Sequence, residues 1–259
     1  MSEISTYAQN TFCWEDLYTS DLASAKTFYQ GMFSWKIEDL RSDDTHPYSF
    51  FTIKGKEVCG LTKIQANLQQ QKITPHWRTY VSVPNADDVV QVAKIAGATI
   101  IDPARDKMEA GRSALIQDPT GALIALWQPK RKIGALVAEV PGSACWRELL
   151  TSNLDVAGKF YATVFSWNPR PEKFGDMAYV TLKSGDTNVA GMMEMQKEGI
   201  PSYWLTYWAV KDCEKSLKKA ETLGGKILKP TTSIKKVGKF AVVADPQGAV
   251  FAILQSEKE

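Results

Sequence analysis

Histidine is scarce in this chain: two residues, His46 and His76, among 259. A metal centre built on imidazoles would have to draw on both, and both lie in the first half. Cysteine is equally thin. Cys13, Cys59, Cys145 and Cys213 are far apart and form no CxxC pair, which argues against a zinc site or a redox dithiol. No apolar run approaches the roughly 18 residues needed to span a bilayer, and the opening MSEISTYAQN has no apolar signal core. The expected location is therefore the cytoplasm, with no membrane partner. One-sided charge is missing too. Thirty-one Lys and Arg against 29 Asp and Glu leave a net charge of +2, so composition announces no nucleic-acid face. The short basic run PKRK at Pro129 to Lys132 reads as a solvated linker.

What the chain does contain is a sentence written twice. FCWEDLYTSDLASAKTFYQGMFSW, Phe12 to Trp35, returns as ACWRELLTSNLDVAGKFYATVFSW, Ala144 to Trp167. Trp14 matches Trp146, while Asp118 of DPTGALIALWQ matches Asp245 of DPQGAVFAILQ at a smaller offset. The second copy is thus slightly shorter in its middle. WRTYVSV and WLTYWAV, then AKIAGATIIDP and AETLGGKILKP, fill the interval, so the repeat spans each half. A period this long means a duplicated domain rather than a solenoid: residues 1–130, a linker at 131–141, and residues 142–259. Cys13 and Cys145 hold the same place in both copies, as small core residues would.

Within a copy, CWEDLYTS reads as a strand and Asp21 as the N-cap of a helix with apolar spacing Leu22, Ala25, Phe28, Tyr29, Met32. YSFFTIKGKEVCGLTKI supplies two strands around the Lys54 to Glu57 turn, with a third segment near Gly60 to Ile64. A second unit follows: RTYVSV as a strand, Asn85 or Asp87 capping ADDVVQVAKIAG, Gly97 closing that helix, then ATIIDP, RSALIQD and ALIALWQ as strands. The expected fold is α+β, with four βαβββ modules. Phe28, Tyr29, Phe160 and Tyr161, at helical spacing, are expected to be core.

These residues resemble a known family. A strand, then D-x-x-x-(A/S)-x-x-FY with a nearby aromatic, and a closing D-P-x-G, are similar to the vicinal oxygen chelate superfamily of glyoxalases, bleomycin-resistance proteins and ring-cleaving dioxygenases. The carriers are Asp21 to Tyr29 with Phe33 and Trp35, Asn153 to Tyr161 with Phe165 and Trp167, and the DPxG stretches at Asp118 and Asp245. The tandem CW, FY and FSW form resembles two-domain glyoxalase-like proteins of the mycobacterial culture-filtrate antigen type. The resemblance implies that each pair of modules curls into one cup-shaped sheet, giving two tandem cups. DPxG is independently a turn leading into the last strand of each cup.

Catalytic members of the family hold one divalent metal on inward His and Glu side chains. By the resemblance, those positions fall here on Trp14, Arg78 and Ala125 in the first cup, and on Trp146, Leu205 and Ala252 in the second. None is a ligand type, so no cofactor is expected, with a divalent metal on some other set of residues left as the alternative. If the first-strand position faces inward, so do residues two and four further on. The first cup then gathers Trp14, Asp16, Tyr18, Arg78, Tyr80, Leu123, Ala125 and Trp127; the second gathers Trp146, Glu148, Leu150, Leu205, Tyr207, Val250, Ala252 and Leu254. Trp14, Asp16, Tyr18, Arg78, Tyr80, Trp127, Trp146, Glu148 and Tyr207 are the candidate ligand-binding residues, with Asp16 and Arg78 the catalytic candidates, since a carboxylate beside a guanidinium stays ionised. Glu15, on the opposite side of its strand, needs a partner there; His46 reads as a loop residue, and His76 as a surface residue, with a place at the mouth of the first cup as the alternative. The expectation is a monomer or homodimer binding a small aromatic or acidic molecule in a metal-free cup. The alternative is a lyase, isomerase or dioxygenase with a non-standard acid/base or metal site.

Overall fold

The computed structural model describes residues 2–40, 47–64, 73–174, 177–195 and 199–257; His46 lies outside them. Each half opens with a strand and a capped helix. In the first, β2 (Thr11–Thr19) leads to α1 (Leu22–Phe33), whose N-cap Asp21 accepts a hydrogen bond from the Ser24 amide. β3 (Lys36–Leu40), β4 (Tyr48–Ile53) and β5 (Lys56–Lys63) complete the unit. The segment near Gly60 to Ile64 is therefore not a separate strand: Gly60 lies within β5, and the third strand of the unit is β3. Its exposed, charged KIEDL lacks the apolar alternation that flags a strand, because β3 is a sheet edge. The second unit runs β6 (His76–Ser82), α2 (Ala86–Ile95), β7 (Thr99–Lys107), β8 (Gly111–Gln117) and β9 (Leu123–Pro129), with Asn85 as the N-cap.

The other half repeats this with β11 (Ala144–Thr151), α3 (Leu154–Phe165), β12 (Asn168–Phe174), β13 (Met177–Ser184), β14 (Thr187–Glu194), then β15 (Tyr203–Ala209), α4 (Cys213–Thr222), β16 (Lys226–Ile234), β17 (Gly238–Ala244) and β18 (Val250–Ser256). Each half forms one eight-stranded sheet, β3-β4-β5-β2-β6-β9-β8-β7 and β12-β13-β14-β11-β15-β18-β17-β16. The units meet where β2 pairs antiparallel with β6, and β11 with β15. The joining segment carries structure of its own, since β10 (Val137–Ala138) pairs with β1 (Ser2–Glu3). Among the described residues no helix is long and apolar enough to cross a membrane.

The helix-bearing faces of the two sheets pack on each other crosswise. One core joins the second unit of the first half (Val81, Val90, Ile116, Leu126) to the first unit of the second half (Phe160, Tyr161, Phe165, Trp167). The other joins Phe28, Tyr29, Trp35 and Phe51 to Trp208, Leu217, Val243 and Phe251. The contacts are reciprocal. Tyr29 Oη donates to Asp245 Oδ2 at 3.0 Å and Tyr161 Oη to Asp118 Oδ2 at 2.8 Å. Each tyrosine in turn accepts from an indole of its own half, Trp77 Nε1 at 3.0 Å and Trp204 Nε1 at 2.9 Å. Trp35 Nε1 donates to Gly142 O, and its counterpart Trp167 Nε1 donates to Asn10 O, each to the segment just before the opposite half's first long strand. Swapping the halves maps these contacts onto one another, so the halves are related by an approximate twofold.

The FY tyrosines are thus core, as their spacing predicts, and the DPxG aspartates do more than turn the chain. Asp118 Oδ1 accepts the amides of Thr120 and Ala122, shaping the turn, while Oδ2 serves the other half. Glu15, fully buried, meets Arg147, its own counterpart in the repeat: Arg147 Nε donates to Glu15 Oε1 at 2.8 Å and Nη2 donates to the same oxygen. Of the cysteines, Cys13 is core, but Cys145 is exposed, so equivalence in the repeat does not extend to burial at that position.

Replacing Arg147 by Met leaves a buried carboxylate unpaired and should destabilise the protein by about 3–5 kcal/mol in denaturant unfolding, whereas Glu15→Leu with Arg147→Met should recover most of that loss. Tyr29→Phe and Tyr161→Phe should each lower stability by about 1–3 kcal/mol. If the single Arg147 variant unfolds at the wild-type midpoint, the pair is not structural.

Candidate functional site in the first cup

With the convex faces buried against each other, the concave faces point away. Alternation along β2 sends Glu15, Leu17 and Thr19 into the core between the halves and Trp14, Asp16 and Tyr18 into the first cup. A register irregularity between Phe12 and Trp14 starts this alternation. The register places Trp14 beside Tyr80, Tyr80 beside Ala125, and Asp16 opposite Arg78. Trp14, Tyr80, Leu115 and Ala125 pack as one cluster with Phe50, Leu123 and Trp127 against it. The structure therefore brings the candidates of the first cup onto one concave face. Trp146, Leu150, Leu205, Tyr207, Val250, Ala252 and Leu254 do the same in the second.

Asp16 is the hub of the first cup. Its Oδ1 accepts from Trp14 Nε1 at 2.8 Å and Tyr48 Oη at 2.6 Å, and Oδ2 accepts from Tyr80 Oη at 2.7 Å. Burial, and then the Asp16 charge, push both phenols well above their ordinary value, so they stay protonated donors. The second cup repeats the hub: Tyr207 Oη donates to Glu148 Oε1 at 2.9 Å, Trp146 Nε1 donates to Tyr179 Oη at 2.9 Å, and Tyr179 also bonds Glu148. Burial raises the Glu148 carboxyl above the usual carboxylate range, against the two phenols.

Tyr48 and Tyr179 are absent from the sequence-based site, although the repeat aligns them. So are the glycines beneath them. Gly60 lies beside Asp16 in the parallel β2–β5 pairing, and a Cβ there would stand 2.0 Å from both Asp16 Oδ1 and Tyr48 Oη. At Gly191, beside Glu148, it would stand 1.7 Å from Tyr179 Oη. Only a residue without a side chain leaves room for the hydroxyl.

Above this common floor the cups differ. In the first, the Arg78 guanidinium carbon lies 3.8 Å from the centroid of the Tyr18 ring, and His76 stacks on Tyr18 at 5.2 Å between ring centroids with 2° between planes. His76 is not a free surface histidine but half-buried in the cup. Its Nδ1 lies 2.9 Å from the Thr74 carbonyl and must carry the proton, leaving Nε2 to accept from Arg78 Nη2 at 3.4 Å. Burial, and then the Arg78 charge, depress its pKa to about 4. Asp16 and Arg78, though opposite each other, do not form an ion pair: among the described residues no carboxylate lies within 4.0 Å of a guanidinium nitrogen of Arg78. The Arg78 Nε is buried without an acceptor. In the second cup, Leu150, Tyr203 and Leu205 stand at these three places.

The donor set does not fit the metal centre that the fold implies. Trp14, Arg78 and Ala125 offer an indole N–H, a guanidinium and a methyl group, none with a lone pair to give. Asp16 is already bonded three times, and a fixed cation shares its cup. Trp146, Leu205 and Ala252 are no better suited. Among the described residues no three His, Cys, Asp or Glu side chains gather as a metal site requires. A separate cavity of about 70 Å³, lined by Tyr7, Phe12, Glu15, Val58 and Arg147 among others, lies between the halves. It is far below the roughly 300–1,000 Å³ of organic-ligand sites.

Comparison with known proteins supports this architecture. A family model described as "Glyoxalase/Bleomycin resistance protein/Dioxygenase superfamily" matches residues 9–126. "Putative glyoxylase CFP32" of Mycobacterium tuberculosis is 37% identical over 257 residues, covering 98% of each chain. "Anthracycline biosynthesis protein DnrV" of Streptomyces peucetius is 28% identical over 96% of this chain and 94% of its own. Among solved structures, the Mn(II)-bound glyoxalase from Novosphingobium aromaticivorans superimposes with a TM-score of 0.65 at 14% identity, over 95% of this chain and 82% of that one. The 2,3-dioxygenase LapB from Pseudomonas sp. KL28 gives a TM-score of 0.65 at 15% identity, over 96% of this chain and 94% of that one. At such identities the structural likeness shows the fold alone.

Gly60→Ala should break the Tyr48–Asp16 hydrogen bond and destabilise the protein by about 1–3 kcal/mol, seen as a lowered unfolding midpoint. His76 binds a proton in the unfolded chain below about pH 6.5 but resists it in the fold until about pH 4. Its neutral form therefore contributes stability that is present above about pH 6.5 and fades as pH falls toward 4. Wild type should lose stability across that window more steeply than His76→Phe; parallel curves would mean the histidine is not held neutral.

Proposed function

The chain belongs to the Glyoxalase/Bleomycin resistance protein/Dioxygenase superfamily, and within it we propose that this protein binds a small aromatic or acidic molecule in its first cup without the help of a divalent metal. The observation that carries this reading is the replacement of the metal positions by a fixed polar floor. Trp14, Tyr48 and Tyr80 converge on Asp16, leaving aromatic walls with a few oriented polar groups, which is the chemistry of an organic-ligand site. Tyr18, Phe50 and Trp127 offer ring faces, and Arg78 offers a cation. The likeness to a protein named for anthracycline biosynthesis is in keeping with a ring-shaped ligand.

The acid/base alternative that uses Asp16 finds less support. For that carboxylate to take a proton from a substrate, at least one of three buried donors must first let go, and each loss leaves an unsatisfied group in a dry site. The second cup keeps the floor but replaces the cation by Leu205, so it is a binding site of a different character or a structural copy.

The test is thermal unfolding in excess chelator against a panel of planar aromatics and aromatic acids. A ligand at one hundred times its Kd should add about 2.7 kcal/mol of stability, and Trp127→Ala together with Tyr18→Ala should weaken that gain. Stabilisation that appears only when zinc, manganese or iron is supplied would overturn the reading.

A further inference from the structure

Arg78 has an unmet demand that the floor of the cup does not explain. Its guanidinium stacks on Tyr18, touches neutral His76 and the Tyr80 phenol, and has no carboxylate partner among the described residues. Its Nε–H is shut off from water and lacks an acceptor. Asp16, the inward carboxylate opposite it, spends both oxygens on Trp14, Tyr48 and Tyr80. A buried donor left unmade costs free energy, and a cation in a cup of aromatic rings costs more unless an anion meets it. Among the described residues the nearby charges do not supply one. Asp102 is engaged by Arg105 through Nε at 3.1 Å and Nη2, and Lys107 is another cation, held below its usual value by partial burial, then by Arg105, with Arg78 adding to the effect.

The comparison between cups isolates the feature. Trp, Tyr, Tyr, carboxylate and glycine recur in both; Tyr18, His76 and Arg78 do not, being Leu150, Tyr203 and Leu205 in the second half. A floor kept twice is scaffold, and a cluster found once on top of it is what differs in what the cups hold.

We propose that Tyr18, His76 and Arg78 form an anion subsite in the first cup alone, which receives the carboxylate of a planar aromatic acid on the Nε/Nη edge of Arg78 and stacks its ring within the aromatic wall. A planar fork facing a planar carboxylate makes two parallel charge-assisted bonds, which a lysine cannot reproduce. The His76 tautomer favours the arrangement, since a neutral ring accepting from Nη2 holds the fork in place without competing as a second cation. This inference rests on the reading above that the first cup takes a small molecule. It adds the charge of the ligand, the residue that reads it and a stoichiometry of one per chain.

Titration calorimetry in chelator with benzoate and its neutral isostere benzamide, on wild type, Arg78→Lys and Arg78→Met, tests it. The expected result is one benzoate per chain, bound at least tenfold more tightly than benzamide, which is about 1.4 kcal/mol; in Arg78→Met the two probes should bind alike, and Arg78→Lys should fall between. In the intact protein, benzoate should shift the ¹⁵N–¹H signal of Arg78 Nε, a readout that stands even if the Met variant does not fold. Equal binding of the two probes to wild type overturns the anion subsite and leaves the aromatic cup standing. A benzoate preference that survives in Arg78→Met, or two benzoates per chain, overturns the assignment to Arg78 and to the first cup. Binding of neither probe at millimolar concentration overturns the subsite and the cup together.

Discussion

One buried ion pair sets the geometry on which the molecule depends. Glu15 and Arg147 occupy the same place in the two copies of the repeat and meet each other, which is possible only at the axis that relates the copies. Identical copies would bring like charges together at that point; a fused duplication can make them opposite. Glu15 is completely buried, and any other pairing of the two halves would strand a carboxylate or a guanidinium in an apolar core. The pair thereby selects one docking of the halves over its competitors. Around it, the crossed tyrosine–aspartate contacts and the two indole-to-carbonyl bonds repeat the same twofold relation.

That docking decides which faces of the sheets meet. The convex faces, with all four described helices, are consumed by the contact between halves, and the concave faces point away from it. It also links cup to cup. Asp118 precedes β9, which supplies Leu123, Ala125 and Trp127 to the first cup, yet one of its oxygens is held by Tyr161 from the second half. Asp245 ties β18 of the second cup to Tyr29 in the same way. Neither cup is complete as an isolated half.

Duplication gave the chain two copies of one floor and one departure from it. The shared floor is a network in which a carboxylate collects phenol donors over a glycine, while the indole N–H donates to the carboxylate in the first cup and to a phenol in the second. Such networks resist piecemeal change because a single loss strands several buried groups. The wall above has no such constraint, and there the two cups have diverged to Tyr18, His76 and Arg78 on one side and Leu150, Tyr203 and Leu205 on the other.

By itself the sequence determined the duplication, the capped helices and most strands of the four βαβββ modules, because period-two alternation and helix caps are local signals and the repeat supplies each twice; the pairing of modules into two cups, and the inward set on β2, β6 and β9 counted from the family's metal positions, came from the resemblance to the vicinal oxygen chelate superfamily. Trp14, Asp16, Arg78 and Tyr80 were legible for that reason, and Tyr48 with Gly60 could have been, since Tyr179 and Gly191 match them in the second copy. The strand β3 was not, because at a sheet edge only Ile37 packs against the core and the rest of the strand needs no alternation. What the fold alone decided are contacts between residues far apart in the chain: that Glu15 meets its own counterpart, that the DPxG aspartates bind tyrosines of the opposite half, that His76 stacks inside a cup, and that Asp16 gives its bonds to phenols and an indole while Arg78 has no carboxylate partner among the described residues. Local patterns fix which face a side chain takes. Which partner waits there depends on how whole sheets pack, and on which buried charges that packing leaves without one.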